Sequence, residues 1–503
     1  MARPSSAVLG LLVARACALQ PRYDAAPLRY FAPCARGLEG VLAAELRGPF
    51  IGAAVVEEGS AGVSFDGPDG VHLRAALESR TANRVHEVLG FYRGVRHADD
   101  LYAAARDVDW RRHLEPDATL RVETTLGARV PQGLDHSHFS SLTLKNAIVD
   151  GFRESNRLGA RPSVGSPEEV DAPLALYLHD GCATIYRSLT RDSLHRRGYR
   201  AEVHKAALRP TIAAGVLHLA GWPAKGGVLC DPMCGSGTLA IEAAMMARKI
   251  APGLIRAGAW PPGGESRSNR FCGPRWADWD PDAWGATVDV ALGRVEASCP
   301  GPILASDTHP GALTLAEAAA ARAGVAADVA FSKADAGRLS PEPRPTLVVS
   351  NPPWDGRLDG GEAAWEAMRD FLKREVGGGT AYLLSGNMPL TQTLRLRATS
   401  KRKLVSGGVD LRFLEYHLRG GRPSAAADAA DASRADYAGR TVVDLKALLR
   451  TRGLKLAGKK ADLVARLLDA DRNPAAVTGE EDFARAVRAR ARAASDPAPS
   501  GWG

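Results

Sequence analysis

The chain has 503 residues, which is long enough for roughly two to four domains of ordinary size. Its composition, 45% hydrophobic and 24% charged, supports sizeable buried cores and excludes an intrinsically disordered chain. Apolar runs stay short of about 18 residues, which excludes a membrane-spanning helix. The seven scattered cysteines do not form a disulfide framework. Lysine plus arginine exceeds aspartate plus glutamate by 65 to 57, a surplus that permits a polyanionic partner without requiring one.

The first 26 residues differ in composition from the rest of the chain. Three arginines precede the first acidic residue, Asp24, and a small apolar run occupies residues 7–14. This basic, acid-free composition predicts a targeting peptide over residues 1–26, for a chloroplast or a mitochondrion. Two alternatives stay open: a short secretory segment that ends near Ala18, and an untargeted start that leaves the protein in the cytoplasm.

Two α+β units follow, over residues 27–100 and 101–205. In the first unit, the pattern predicts a short strand and turn over 31–37, a helix over 38–46, a strand over 62–65 and a helix over 71–88. In the second, it predicts strand 120–124, helix 141–152 and a hairpin of strands 174–178 and 183–186. A basic stretch, 187–205, ends this unit and holds Arg191, His195, Arg196, Arg197 and Arg200.

Residues 206–420 alternate β and α segments, which predicts a mostly parallel seven-stranded sheet with helices on both faces. The predicted strands are 227–232, 303–307, 328–333, 346–350, 379–385, 403–405 and 411–418. The predicted helices are 238–248, 311–322 and 362–376, and a Trp-, Pro- and Gly-rich insertion occupies 251–301. The fold class is therefore α/β, with a Rossmann-like domain as its largest part.

The first strand of this domain ends in Asp231 and is followed by a glycine-rich turn and a helix. A P-loop needs a lysine that is absent, and the third glycine of a dinucleotide fingerprint is replaced by Ala240. S-adenosylmethionine (SAM) needs a carboxylate near its amine and a closely approaching backbone, which this loop offers. We therefore predict a SAM site, against the alternative of an ordinary turn. Its residues are Asp231, Pro232, Cys234, Gly235, Ser236, Gly237 and Thr238.

Two more acidic residues follow the next predicted strands. Asp307 ends the second strand, where a carboxylate can accept hydrogen bonds from both ribose hydroxyls. Asp335 follows the third strand and is a candidate partner for the adenine amino group. Each is, alternatively, a helix cap or a turn residue, because aspartate is common in both places.

The fourth strand ends in Asn351-Pro352-Pro353-Trp354. Two prolines cannot continue a strand, so they form a rigid turn at the edge where open α/β sheets bind ligands. The Asn351 side-chain oxygen and the Pro352 carbonyl can accept two hydrogen bonds from one exocyclic amine, and Trp354 offers a face on which a displaced base stacks. We predict these four residues as the catalytic motif; the alternative is a Pro-Pro turn with a packed tryptophan.

Metal-ligating patterns are absent from the sequence. Cys230 and Cys234 lack Cys-x-x-Cys spacing, and His136 and His138 stand alone in a polar loop. We therefore expect no metal site.

The chain resembles the THUMP-containing RNA guanine-N2-methyltransferases, most closely the large-subunit ribosomal RNA type. The matching motifs are 231–238 with 241–244, 251–254, and 351–354 with 356–358, together with 31–39, 145–150 and 193–200. The resemblance covers about residues 28–420 and implies a ferredoxin-like start, a THUMP RNA-binding domain and a SAM-dependent methyltransferase domain. The family commonly has tyrosine where Trp354 stands. Some bacterial members add a second methyltransferase domain, and that second activity is not expected here.

Residues 421–436 are predicted as a linker, 437–472 as a small helical module, and 473–503 as a frayed tail. The module resembles a SAP domain, a helix–extended–helix nucleic-acid module. Its predicted core is Leu445, Leu448, Leu449, Leu463, Leu467 and Leu468. Its basic face, which includes Lys446, Arg450, Lys459 and Lys460, is suited to phosphates. A solvated charged hairpin or a protein-docking module is the alternative.

These observations predict a SAM-dependent enzyme that methylates the exocyclic N2 of a guanine in large-subunit ribosomal RNA. A transfer-RNA guanine-N2-methyltransferase shares both domains and is the nearest alternative. DNA adenine-N6 methylation suits the same four-residue motif, but the THUMP-like unit counts against it. A non-catalytic RNA-binding assembly factor is the remaining alternative, and the intact motifs count against it.

Overall fold

The structure is a computed structural model. It describes residues 28–155, 159–166, 170–200, 207–224, 226–262, 276–354, 361–419, 437, 440–452 and 454–472. The chain divides into two units after Arg419, and each unit is described by itself. The predicted targeting peptide, linker and tail lie outside the described residues.

The N-terminal part of the first unit is built on one eight-stranded sheet. Its elements in chain order are β1 (Tyr30–Pro33), α1 (Glu39–Arg47), β2 (Val55–Gly59), β3 (Gly62–Asp66), α2 (Val71–Glu78), β4 (His86–Arg93), α3 (Ala98–Asp107), β5 (Thr119–Leu126), α4 (Ser137–Ser155), β6 (Ser163–Val164), β7 (Ala172–His179) and β8 (Cys182–Ser188). The strand order is β2-β3-β1-β4-β8-β7-β5-β6. The antiparallel pair β4 and β8 therefore joins the two predicted α+β units in a single sheet.

One predicted helix in this region is wrong in its second half. The helix predicted over 71–88 ends at Glu78, and residues 86–88 begin β4 instead. Because β4 pairs with β1 on one side and with β8 on the other, its backbone gains two sets of ladder hydrogen bonds that a helix would forgo. Tertiary pairing thus overrides the local helical pattern.

The remaining part of the first unit is built on a seven-stranded sheet. Its elements are α5 (Pro210–Ala220), β9 (Leu229–Asp231), α6 (Thr238–Ala247), α7 (Pro252–Arg256), α8 (Pro281–Leu292), β10 (Ile303–Asp307), α9 (Pro310–Arg322), β11 (Val329–Lys333), β12 (Leu347–Ser350), α10 (Gly361–Glu375), β13 (Thr380–Ser385), α11 (Met388–Thr391), β14 (Ser400–Ser406) and β15 (Val409–His417). The order is β11-β10-β9-β12-β13-β15-β14.

The predicted mostly parallel seven-stranded sheet is confirmed. The five strands from β11 to β13 are parallel, and β15 runs antiparallel to both β13 and β14. Because β9 lies at the centre, its carboxyl end is flanked by the carboxyl ends of β10 and β12. This edge receives the residues that follow all three strands.

Burial explains why the central elements hold their places. Every residue of β9 and β12 is buried, and so is every residue of α6, whose side chains are mostly small and apolar. A cluster of buried apolar residues extends from the N-terminal sheet into the seven-stranded sheet. At one contact within it, a Cβ on Gly215 of α5 would lie 2.5 Å from Leu38 Cδ1, so a larger residue there would force the Leu38 side chain to move.

The insertion contacts the N-terminal sheet through Arg187 of β8. The Arg187 guanidinium donates two hydrogen bonds to Asp278, at 2.5 and 2.7 Å, and a third to Glu87 of β4 at 2.6 Å. It also lies 5.3 Å from the centre of the Trp276 ring. The insertion is therefore attached at the junction of β4 and β8.

The second unit contains α12 (Val442–Thr451) and α13 (Lys460–Arg472). Thr441 begins α12 with a capping box, in which its side chain and that of Asp444 bond each other's backbone. Leu445, Leu449, Leu463 and Leu467 are fully buried with Tyr437, and Leu448 and Leu468 pack beside them. The small leucine core predicted for this module is present. Among the described helices of both units, none has the length and apolar character that crossing a membrane requires.

Candidate active site

Asp231, the last residue of β9, is the most buried acidic group at the carboxyl edge of the sheet. It is 1% exposed. Its Oδ1 accepts a hydrogen bond from Ser350 Oγ at 2.7 Å and one from the Met233 backbone N–H at 3.2 Å. Burial raises the pKa of this carboxyl to about 7, although both hydrogen bonds act in the opposite direction. Asp231 is thus poised to change charge near neutral pH.

The loop after Asp231 is bound to the end of β10. The Cys234 N–H donates to the Ser306 carbonyl at 2.9 Å, and the Gly235 N–H donates to Asp307 Oδ2 at 2.8 Å. Ser306 Oγ donates in turn to the Pro232 carbonyl at 3.3 Å. These bonds hold the loop backbone at the switch between β9 and β10, where such sheets accommodate nucleotides.

Two glycines give this loop its shape. Gly237 has a φ of +74°, and a Cβ there would lie 2.9 Å from Ala316 Cβ, so no other residue fits without strain. Gly235 has a φ of +52°, and the space where its Cβ would point contains no protein atom within 4 Å. The loop therefore leaves open space beside the partly exposed backbone of Gly235, as a SAM site requires.

Asp307 and Asp335 both hold turns. Asp307 Oδ1 accepts the His309 N–H at 2.9 Å, and Asp335 Oδ1 accepts the Gly337 N–H at 2.8 Å. Both aspartates therefore have the geometry of turn residues, which was the alternative to a role in ligand binding. This geometry does not exclude a ligand, because each carboxylate oxygen can accept a second hydrogen bond. Asp307 ends β10, the neighbour of β9, and Asp335 follows β11, which lies beyond β10, so both carboxylates lie on the edge that carries the loop.

The Asn351–Trp354 motif follows β12 at the same edge. Trp354 Nε1 donates a hydrogen bond to Asn351 Oδ1 at 3.0 Å, and Trp365 Nε1 of α10 donates to the Pro353 carbonyl at 2.9 Å. The Trp354 ring lies against Gly386, where any Cβ would overlap it. The motif is thus held from two directions, and the Asn351 oxygen keeps one lone pair for a further donor.

Ser350 connects the two predicted motifs. It is the last residue of β12 and precedes Asn351, while its side chain bonds Asp231, a residue 119 positions away in the sequence. The sequence pattern placed Ser350 inside a strand and assigned it no role. Its position directly before a strand-ending Asn-Pro-Pro was the available signal.

The two cysteines near the site are buried. Burial raises the pKa of both the Cys230 and the Cys234 thiols far above the ordinary value. Within the described ranges, no group of three or more His, Cys, Asp or Glu side chains is arranged to hold a metal ion.

One residue of the predicted RNA-binding stretch is buried, which corrects the expectation for it. Only 1% of the Arg197 side chain is exposed, and it pairs with the fully buried Glu242 of α6 at 3.2 Å. Arg197 also donates to the Arg80 carbonyl at 2.5 Å, and the Tyr199 hydroxyl donates to Glu242 at 3.1 Å. Glu242 neutralises Arg197 inside the protein, so this guanidinium is not available to phosphates.

The other members of that stretch differ in exposure. Arg200 donates to Thr238 at the start of α6 and to the Leu208 carbonyl, and Arg191 donates to the Val170 carbonyl at 3.0 Å. Burial lowers the pKa of His195 to about 4, with neighbouring arginines adding to the shift, so the ring is neutral near pH 7. Arg196 faces solvent, 3.8 Å from Asp192. Residues 201–205 of the stretch lie outside the described ones.

In the second unit, the predicted basic residues lie at the surface. Arg450, Lys459 and Lys460 are exposed, and Lys446 is half-buried. They are therefore available to a polyanion.

Comparisons with known proteins identify four family domains along the chain. A ferredoxin-like domain matches residues 29–86, a THUMP domain 95–186, an RMKL-like methyltransferase domain 197–414, and a SAP domain 436–472. The Synechocystis protein slr0064, provisionally named an RNA methyltransferase, is 32% identical over 79% of this chain and 98% of its own length.

Longer relatives and a solved structure agree with these matches. The ribosomal RNA large subunit methyltransferase K/L of Syntrophotalea carbinolica is 35% identical over 78% of this chain, which spans 54% of that protein. SMU.472, provisionally named a methyltransferase and solved with S-adenosylhomocysteine, has a TM-score of 0.67 over 79% of this chain and 99% of its own, at 22% identity. At that identity, the likeness shows the fold.

The fold and the site at the ends of β9, β10 and β12 define a methyltransferase whose cofactor is S-adenosyl-L-methionine. With the matched domains and a relative aligned over nearly its whole length, the chain belongs to the RMKL-like methyltransferase family, in the ferredoxin-like, THUMP, methyltransferase and SAP arrangement.

Proposed function

We propose that this RNA methyltransferase transfers a methyl group to the exocyclic N2 of a guanine in large-subunit ribosomal RNA. The observation that carries the proposal is the 2.7 Å bond from Ser350 to Asp231, which sets the cofactor loop beside the Asn351–Trp354 motif. The K/L relatives, whose names specify large-subunit ribosomal RNA, support the choice of RNA. The chain spans about half of their length, so their complete activity is not transferred to it.

The cofactor loop fits SAM on three counts. Asp231 offers a buried carboxylate for the cofactor's ammonium group, Gly235 leaves open space beside the backbone, and Asp307 has acceptor capacity for the ribose. Asp335 is the candidate partner of the adenine. When bound, SAM supplies a methyl group on a positively charged sulfur, which makes that carbon electrophilic.

The chain's own residues position the nucleophile. The Asn351 oxygen and the Pro352 carbonyl accept hydrogen bonds from the two N–H groups of one amine, which directs the nitrogen lone pair away from both acceptors. No strong general base is needed, because the methyl carbon is already activated. Trp354 then stacks on the base, a contact worth about 1–3 kcal/mol. The guanine must leave its own stack to reach this motif, so an unpaired guanine is the expected target.

RNA is held by residues outside the site. Arg196 on the THUMP side and the exposed cations of the SAP domain are suited to phosphate contacts, which predicts an affinity that falls steeply with salt.

The decisive experiment incubates the full chain with SAM labelled at its methyl group and with unmodified transcripts of large-subunit ribosomal RNA and of transfer RNA. Digestion to nucleosides identifies the labelled base, and Asn351→Ala is the control. We expect N2-methylguanosine in the ribosomal transcript. Label in transfer RNA would favour the alternative substrate. Label on a ring nitrogen or on ribose would overturn the amine chemistry, and no label in either RNA would favour an assembly factor.

A further inference from the structure

A long segment of the methyltransferase part carries positive charge without any acidic residue. Between Glu375 and Asp410 the sequence contains no aspartate or glutamate, and five of the nine residues 395–403 are cationic. All five are exposed. Such a run departs from the mixed charges expected of an ordinary solvated surface.

The segment begins at the catalytic motif. Gly386, which packs against the Trp354 ring, directly follows β13. The chain then passes through the short helix α11 to Arg395 and Arg397. It continues into β14, the last strand of the sheet, whose pairing partner is β15. The cations therefore follow in the chain the segment that contacts Trp354, and they continue along the edge of the sheet.

Two more exposed arginines continue this line: Arg36 of the N-terminal part, and Arg209, which directly precedes α5. Arg36 forms a backbone bridge to Val405, just beyond the end of the basic run. Arg209 lies by the next turn, where a Cβ on Gly407 would be 3.3 Å from Arg209 Nη2. Arg209 is also close enough to His195 to lower its pKa, which places it beside the stretch that carries Arg196.

Most of these charges are uncompensated. Lys403 pairs with Asp410 at 2.8 Å, and Arg412 approaches the same carboxylate at 4.0 Å. In contrast, a set of six cations forms no ion pair with any described residue. We name this set the basic track: Arg36, Arg209, Arg395, Arg397, Lys401 and Arg402.

Protection of a sheet edge accounts for only part of the track. Lysines on an edge strand discourage pairing with another chain, which would explain Lys401. Arg395 and Arg397 precede the strand, and Arg36 and Arg209 belong to other segments. A phosphodiester backbone that starts at the catalytic motif explains all six positions, because successive phosphates need cations spaced along a line.

We propose that the basic track binds the RNA strand that flanks the target nucleotide, and that it leads this strand from Trp354 towards Arg196. The proposal rests on the proposed function for the identity of the polyanion. It assigns the methyltransferase part its own RNA-binding surface, in addition to the THUMP and SAP domains.

The test neutralises four residues of the track together: Arg395→Gln, Arg397→Gln, Lys401→Gln and Arg402→Gln. Binding of a fluorescein-labelled, single-stranded RNA of about 20 nucleotides is measured by anisotropy over a range of salt concentrations, without SAM. Each lost phosphate contact lowers the slope of log affinity against log salt by about 0.7, so we expect a reduction of about 3. The KM for RNA should rise, with SAM affinity and melting temperature unchanged.

A matched control removes the same charge elsewhere, through Arg47→Gln, Lys249→Gln, Arg338→Gln and Lys373→Gln, all outside the track. Its salt slope should remain that of the wild type. A charge-retaining variant with lysine at positions 395, 397 and 402 should also keep the wild-type slope. An unchanged slope in the track variant would overturn the proposal and leave edge protection as the explanation. An equal loss in the control would overturn it as well, since net charge alone would then account for binding.

This measurement is independent of catalysis. If the wild-type protein binds the RNA but methylates another atom, or none, the proposed function is wrong. The comparison of salt slopes would still decide whether the basic track binds RNA.

Discussion

The hydrogen bond from Trp354 to Asn351 gives Trp354 two separable roles. Its ring can stack on the target base, and its indole N–H can orient the Asn351 amide. Trp354→Phe keeps an aromatic face but removes the indole N–H that donates to Asn351 Oδ1 at 3.0 Å. Without that donor, the amide has no described partner to decide which of its ends faces the substrate. A hydrogen bond between neutral groups contributes about 0.5–1.5 kcal/mol.

This free-energy range gives the expected change in kcat. If the bond orients the acceptor in the transition state, its loss lowers kcat by about 2- to 13-fold, because about 1.4 kcal/mol corresponds to a factor of ten. The KM for RNA should barely change in Trp354→Phe, and Trp354→Tyr should behave similarly, since both keep a face for the base. Trp354→Ala loses stacking of about 1–3 kcal/mol, so its KM should rise by about 5- to 160-fold.

Single-turnover and steady-state methylation assays separate the two parameters. Trp279→Phe, in the insertion, is the matched control, and it should leave both kcat and KM unchanged. A wild-type kcat with a lowered KM in Trp354→Phe would refute this orienting role of the indole N–H. In that case the indole N–H competes with the target amine for Asn351 instead of orienting it.

Three further predictions address the cofactor, the chemistry and the scaffold. Asn351→Ala should lower turnover by about 10²–10³, similar to the loss of one preorganised polar group, with calorimetric SAM affinity unchanged. SAM affinity should rise between pH 6 and 8, because a group with a pKa of about 7 ionises there and the charged carboxylate attracts the ammonium; Asp231→Asn should bind weakly and show no such rise. Arg197→Met leaves Glu242 buried without its partner, and urea denaturation should show a free energy of unfolding lower by about 3–5 kcal/mol.

The sequence predicted the methyltransferase sheet well, because its strands have local signatures. Each strand is a short β-rich run between turn residues, and the Asp231 and Asn351 motifs begin where two of these runs end. Parallel strands bring such ends to one edge, so the meeting of the motifs followed from the topology. The bond from Ser350 to Asp231 was not predictable, because a serine in a buried strand has many alternative partners.

What the sequence failed to predict depends on contacts between distant segments. The helix predicted over 71–88 stops early because β4 pairs with β8, about 100 residues further along. Likewise, a cluster of arginines looks the same in sequence whether it faces phosphates or a buried carboxylate. The charge of Arg197 is neutralised in the interior by Glu242, which lies 45 positions further along the chain, on α6.

Because Glu242 lies on α6, part of the basic stretch has a structural role. Arg197 and Arg200 bond two residues of α6, the helix that begins at the end of the cofactor loop, through Glu242 and Thr238. Two arginines that looked like RNA ligands therefore support the helix on which the cofactor loop depends. Arg196 lies between them in sequence and faces solvent. One short segment thus presents a cation to solvent and also supports the helix that follows the cofactor loop, so the RNA contact proposed for Arg196 would lie within four residues of that support.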